Sequence, residues 1–228
     1  MHPLVGVLIA YAAGSLPAAY LAGKAAGVDL RTKGSGNLGA TNVVRVLGFK
    51  VGLGVFLVDM IKGALPVWLL PAATRSAIAP EWLAILYGAV AILGHVRPVW
   101  LRFGKGGKGV ATACGVFLAL ASVPTLLALA AFGTVLVSAG YVSLASLAAA
   151  AVLPPLVAAQ LGFANPVFAV SVVISSFVFW THRPNMTRLR SGEEHHFSRL
   201  GSLGIARGLM LGGVVAAAGL AWLLWGAR

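Results

Sequence analysis

The chain has 228 residues, of which 59% are hydrophobic and 10% charged, and its mean hydropathy is +0.93. So few polar groups cannot cover a globular surface, which excludes a soluble domain and predicts an all-α integral membrane protein embedded in a lipid bilayer. The net charge of +12 is not a nucleic-acid footprint, because the cations sit in connections between apolar stretches and not along one face; no nucleic-acid partner is expected.

In chain order, apolar segments run from about Leu4 to Gly23, Val51 to Leu70, Trp82 to Val96, Val110 to Ser122, Pro124 to Ala139, Tyr141 to Leu161, Pro166 to Thr181 and Gly208 to Trp225. Several are shorter than the ~20 residues of a perpendicular span. The expectation is a bundle of seven short transmembrane helices with an eighth C-terminal span, divided as a membrane-embedded domain over 1–194 and an extension over 195–228. Met1-His2-Pro3 lacks a basic leader, so the first segment reads as a retained span. Lys24, Arg31, Lys33, Arg45 and Lys50 fill the first connection, Arg97, Arg102, Lys105 and Lys108 the third, and Arg183, Arg188, Arg190, Arg199 and Arg207 the last. The positive-inside rule puts all three in the cytoplasm and the N-terminus outside. Cys114 is the one cysteine, so neither an intramolecular disulfide nor a thiolate metal cluster can form.

Two connections carry chemistry. One reads Gly34-Ser35-Gly36-Asn37-Leu38-Gly39-Ala40-Thr41-Asn42-Val43-Val44-Arg45, the other Gly104-Lys105-Gly106-Gly107-Lys108-Gly109-Val110-Ala111-Thr112. Glycines let backbone N–H groups converge on an oxyanion, hydroxyls add neutral donors and Lys and Arg add charge, so both read as phosphate loops. Gly34, Gly36 and Gly39 match a dinucleotide fingerprint formally, with Asp59 twenty residues on, but no strand precedes them and Asp59 lies in an apolar span. The second loop aligns with no Walker A pattern. A permease for a phosphorylated metabolite would carry its polar groups near the midplane on repeat-related broken helices; these loops cluster on one side, without an internal repeat.

A third polar group, His182 to Glu194, follows an apolar span and offers an imidazole, an amide, guanidinium groups and carboxylates for ordering an anion and moving a proton. His195 and His196 are adjacent residues that cannot converge on one ion, so no metal site is expected there. Asp59 and Lys62 stand three residues apart inside the second span, where a self-neutralising pair and a substrate-facing pair fit the sequence equally well. No Asp stands five positions after any histidine, so the sequence holds no His-x-x-x-x-Asp pair of base and orienting carboxylate.

The first loop, the stretch from Gly94-His95 to Thr112, and His182-x-x-Asn185 followed by Arg188 and Gly192-Glu193 resemble, in order, the three motifs of the bacterial acyl-phosphate:glycerol-3-phosphate acyltransferases of the PlsY type. The resemblance includes the Asp59-x-x-Lys62-Gly63 element and covers about residues 4 to 194. It implies a seven-helix enzyme of the bacterial inner membrane that moves a fatty acyl group from acyl phosphate to the sn-1 hydroxyl of glycerol 3-phosphate, giving lysophosphatidic acid. It also implies that no metal, coenzyme A or acyl carrier protein takes part, and that an upstream enzyme supplies acyl phosphate. On this combined reading Ser35, His182 and Asn185 are catalytic. Gly36, Asn37, Thr41, Asn42, Arg45, Lys62, Lys105, Gly106, Gly107, Lys108, Gly109, Thr112, Arg188 and Glu193 bind substrate. An acyl phosphate is an activated anhydride, so positioning its phosphate matters more than a strong base, and direct transfer without an acyl-enzyme is expected.

Overall fold

The structure, a computed structural model, describes residues 1–197. It is helical throughout, with no strand among the described residues: α1 (Pro3–Gly14), α2 (Ala18–Ala25), α3 (Ala40–Leu47), α4 (Phe49–Ala73), α5 (Pro80–Val96), a 3-10 turn (Val99–Leu101), α6 (Val110–Leu120), α7 (Ser122–Ala139), α8 (Val142–Leu161), α9 (Pro166–Thr181) and α10 (Arg183–Ser191). All seven apolar segments expected within these residues are helical. Five helical stretches are long and apolar enough to span a membrane, and α9 with α10, bent by 52°, would make a sixth. α6 has 11 residues and rises only ~16 Å against a hydrocarbon core of ~30 Å. The eighth apolar segment, Gly208 to Trp225, and most of the 195–228 extension lie outside the described residues.

The structure departs from the sequence reading at four places, each for a local reason. The first segment is not one helix but α1 and α2, broken at Ser15-Leu16-Pro17, where Pro17 has no N–H to continue the ladder. The break between α6 and α7 falls at Ala121, whose backbone is extended, because Pro124 is accommodated in the first turn of α7. Ala40 to Leu47 of the first connection is helical, and so is Arg183 to Ser191 of the third polar group, with Pro184 in its first turn.

Two compact units make up the chain, Met1–Leu120 and the part from Ala121 onward. In the first, small residues let backbones touch. A Cβ added at Gly115 would lie 1.8 Å from the Met60 carbonyl oxygen, and one at Gly63 2.2 Å from that of Thr112, so α4 and α6 meet main chain to main chain. Lipid supplies little hydrophobic drive between helices, and this close packing takes its place. Leu4 and Leu8 of α1 and Trp68 and Leu69 of α4 are exposed, as residues that face lipid must be. Beneath the first glycine-rich connection, Ala19, Leu30, Leu38, Val43 and Val55 form a small buried core that seats it on α2, α3 and α4.

In the second unit α7, α8 and α9 pack in sequence order. The side chain of Asn165 accepts from the Val167 N–H at 2.8 Å and Pro166 follows it, a strong start signal for α9. That helix ends at His182, which also opens α10. Residues beyond α10 return to the α7–α8 turn: the Phe197 N–H donates to the Gly140 carbonyl at 2.9 Å, and the His196 ring stands edge-on to Tyr141, 5.0 Å between centroids.

Candidate active site

In the first unit the loop between α2 and α3 is shaped by Asn42. Its Oδ1 accepts the Ser35 N–H at 2.8 Å, and its Nδ2 donates to the carbonyls of Lys33 at 3.1 Å and Leu30 at 3.2 Å. Asn42 is buried, so its amide works on the loop backbone and leaves the Ser35 side chain outward. Gly34 and Gly36 have φ of +60° and +69°, and a Cβ at Gly34 would lie 2.2 Å from Asn42 Oδ1. Only glycine fits there. The Arg45 stem, on α3, lies over Gly34, while Asn37 folds its Oδ1 back toward Gly39 at the start of α3, beside Thr41.

The second loop begins after two consecutive left-handed residues, Arg102 and Phe103. The Gly106 N–H donates to the Val96 carbonyl at 3.0 Å. A Cβ at Gly106 would lie 2.1 Å from the His95 carbonyl oxygen, and one at Gly107 2.1 Å from His95 Nε2 and 3.1 Å from the Leu38 carbonyl oxygen. The two glycine-rich loops are therefore neighbours, since Leu38 belongs to the first. Lys105 is exposed and Lys108 half-buried, and Gly109, at φ +83°, turns the chain into α6. Thr112, in the first turn of that helix, is wholly buried, and its hydroxyl has no hydrogen-bond partner among the described residues.

Lys62 lies under these loops rather than in them. Its ammonium is 2.7 Å from Asp59 Oδ1 and donates to the Leu16 carbonyl, exposed by the α1–α2 break, at 2.6 Å. His95 Nδ1 faces the same carboxylate oxygen at 3.5 Å. All three side chains are buried. The pair left open by the sequence is thus a self-neutralising one, with a histidine the sequence reading did not single out.

The second unit gathers His182, Asn185 and Arg188. His182 is buried at the α9–α10 junction, with Nδ1 2.8 Å from the Val178 carbonyl oxygen. A carbonyl only accepts, so Nδ1 carries the proton and Nε2 is the acceptor nitrogen. Asn185 Nδ2 and Arg188 Nε donate to the two oxygens of Glu194, each at 2.7 Å. Gly192, in the left-handed region, ends α10 and lets the Glu193 and Glu194 N–H groups return to the Arg188 carbonyl. Glu194 is buried and Glu193 is not; Glu193 accepts from the Ser191 hydroxyl at 3.1 Å. The carboxylate that organises the group is Glu194, one position beyond the Glu193 expected to bind substrate, and only the cap geometry distinguishes them. Burial pushes the Glu194 carboxyl up, but the hydrogen bonds from Asn185 and Arg188 hold it below the ordinary carboxylate range.

A family model described as glycerol-3-phosphate acyltransferase matches residues 4–192. The chain is 50% identical over 188 residues to the glycerol-3-phosphate acyltransferase of Geobacter metallireducens, covering 82% of this chain and 94% of that one. With that of Geotalea daltonii it shares 47% over 196 residues, covering 86% and 98%. Among solved structures it is similar to PlsY (YgiH), an integral membrane glycerol 3-phosphate acyltransferase. The glycerol 3-phosphate form matches with a TM-score of 0.80 and 37% identity over 88% of this chain and 98% of that one. The lysophosphatidic acid form matches with a TM-score of 0.76 and 35% identity over 91% and 98%.

Proposed function

Because the chain belongs to the glycerol-3-phosphate acyltransferase family and is an integral membrane enzyme of that activity, we propose that its acyl donor is an acyl phosphate, attacked directly by the sn-1 hydroxyl of glycerol 3-phosphate. The observation that carries this reading is the adjacency of the two glycine-rich loops in the first unit, through Gly107 and Leu38. Both substrates bear phosphate; the first loop offers the exposed Ser35 with Arg45 on α3, and the second offers Lys105 and Lys108.

The geometry of each unit supports the following roles. Ser35, Gly36, Asn37, Thr41 and Arg45 hold phosphate from the first loop and α3, with Asn42 holding the loop's shape. Lys105, Lys108 and the backbone of Gly107 and Gly109 hold it from the second, whereas Thr112, expected there from the sequence, is wholly buried and Gly106 gives its N–H to the Val96 carbonyl. Lys62, expected at the substrate from the sequence, is instead held beneath the loops by Asp59 and the Leu16 carbonyl. Within the second unit His182 offers Nε2 as a proton acceptor, and Asn185 and Arg188, set by Glu194, act as polar anchors. In the reaction the hydroxyl oxygen bonds to the acyl carbon while the bond from that carbon to the phosphate oxygen breaks. Inorganic phosphate leaves, and the hydroxyl proton passes either to His182 Nε2 or to a phosphate oxygen of the donor. The pH profile of His182→Asn separates these two acceptors. The Val178 carbonyl backs His182 Nδ1, an arrangement that suits an activated anhydride, which needs orientation more than a strong base. The active loops face the cytoplasm of the bacterial inner membrane on this reading, where an upstream enzyme delivers acyl phosphate.

Purified protein in detergent, given acyl phosphate and glycerol 3-phosphate with a chelator and no coenzyme A, should form lysophosphatidic acid. Robust turnover with acyl coenzyme A alone, or complete loss in chelator, overturns the proposal. Labelled acyl phosphate mixed with enzyme alone should leave no label on denatured protein; a phosphate burst stoichiometric with enzyme and absent from Ser35→Ala would make Ser35 an acyl carrier.

A further inference from the structure

Three ionisable side chains buried within spans are costly and call for a reason. Asp59, Lys62 and His95 lie directly behind the second loop. The Asp59 carboxylate can only accept, so a neutral His95 ring turned toward it carries its proton on Nδ1 and presents the Nε2 lone pair on its opposite edge. That edge stands against Gly107, while the His95 carbonyl stands against Gly106, both so close that no Cβ fits. The space that Asp59, Lys62 and His95 share with Leu16, Leu38 and Gly107 is a cavity of about 10 Å³, far too small for a substrate phosphate. These side chains touch the loop and not the reactants.

We propose that Asp59 and His95, with Lys62 neutralising the carboxylate, are positioning residues that set the backbone of Gly107 for phosphate contact, next to Gly106, whose N–H the Val96 carbonyl holds. This rests on the reading that the second loop holds a substrate phosphate. A glycine-rich loop loses more conformational freedom on ordering than any other. Ordering it in advance against a rigid ring removes that cost from binding, so the effect belongs in KM.

Steady-state kinetics of the full-length enzyme, with each substrate varied in turn, test this with three variants. Lys105→Ala identifies which KM reports the loop. His95→Asn can place an amide only where Nδ1 was and should raise that same KM at least tenfold with kcat within threefold. His95→Gln, which can place an amide where Nε2 was, should keep it within threefold of wild type. If Lys105→Ala raises a KM and His95→Asn does not, the positioning role is overturned and the phosphate reading stands. If neither raises one, the phosphate reading fails and the positioning role with it. A fall in kcat at constant KM in His95→Asn also overturns it, because His95 would then act on the reacting atoms. Should His95→Asn not fold, the charge-neutral double variant Asp59→Asn with Lys62→Gln carries the same test and the same tenfold expectation.

Discussion

The two polar clusters are held in shape by opposite means. In the first unit the glycine-rich loops are fixed by close approach: main chain and glycine against Asn42, His95 and Leu38, at separations where a single methyl group does not fit. In the second, α10 and the residues after it are fixed by one ionised carboxylate, Glu194, that takes a charge-assisted hydrogen bond on each oxygen. The first arrangement is intolerant of volume. The second tolerates changes of shape but depends on the protonation state of one group.

This contrast can be broken most sharply at Gly107. Gly107→Ala puts a Cβ 2.1 Å from His95 Nε2, on a ring held from behind, so kcat/KM should fall by about two decades or more through misplaced loop geometry; wild-type kinetics would show that the loop is not packed as described. Next come the cations of the same cluster. Removing one charge-assisted contact in a partly desolvated site should cost roughly 1.5–3 kcal/mol, or one to two decades in kcat/KM, for Lys105→Ala and for Arg45→Ala. Unchanged kinetics in both would make the loops mere electrostatic linkers.

The second cluster should respond to acid through one carboxylate. A carboxyl whose folded pKa is depressed contributes stability that is complete above its ordinary value of ~4.3 and is lost as pH falls through the lower folded value. Glu194→Gln should therefore lower the thermal midpoint at pH 7, by an amount corresponding to about 1–2 kcal/mol, and flatten its dependence on pH below ~4.5. An acid dependence equal to that of wild type would remove Glu194 from its organising role. The smallest effect is expected at Asp29, whose carboxyl hydrogen bonds from Arg31 bring to about 2. Both members of that pair are exposed, so Asp29→Ala should leave kcat/KM within about twofold.

Much of the molecule was legible in the linear chain because lipid imposes simple rules. An apolar stretch must be helical when water cannot satisfy its backbone, and the seven such stretches among the described residues are helical here, the first in two pieces. Left-handed glycines were legible as loops because no other residue takes φ near +60° without strain. The helical character of Ala40 to Leu47 and of Arg183 to Ser191 was hidden by their polar composition, which in a membrane protein looks like connecting loop.

Sequence alone determined the fold class and the three polar groups, since composition, glycine spacing and hydropathy act locally along the chain. It also carried the family resemblance. Tertiary structure alone decided which side chains serve the loops and which lie open beside them: that Asn42 shapes the first loop, that Lys62 is committed to Asp59 and the Leu16 carbonyl, that His95 backs Gly107, and that Glu194 rather than Glu193 anchors Asn185 and Arg188. These partners are separated by up to 46 residues along the chain. Which donor meets which acceptor across such a distance is set by helix packing and helix ends, and no local pattern of residues records it.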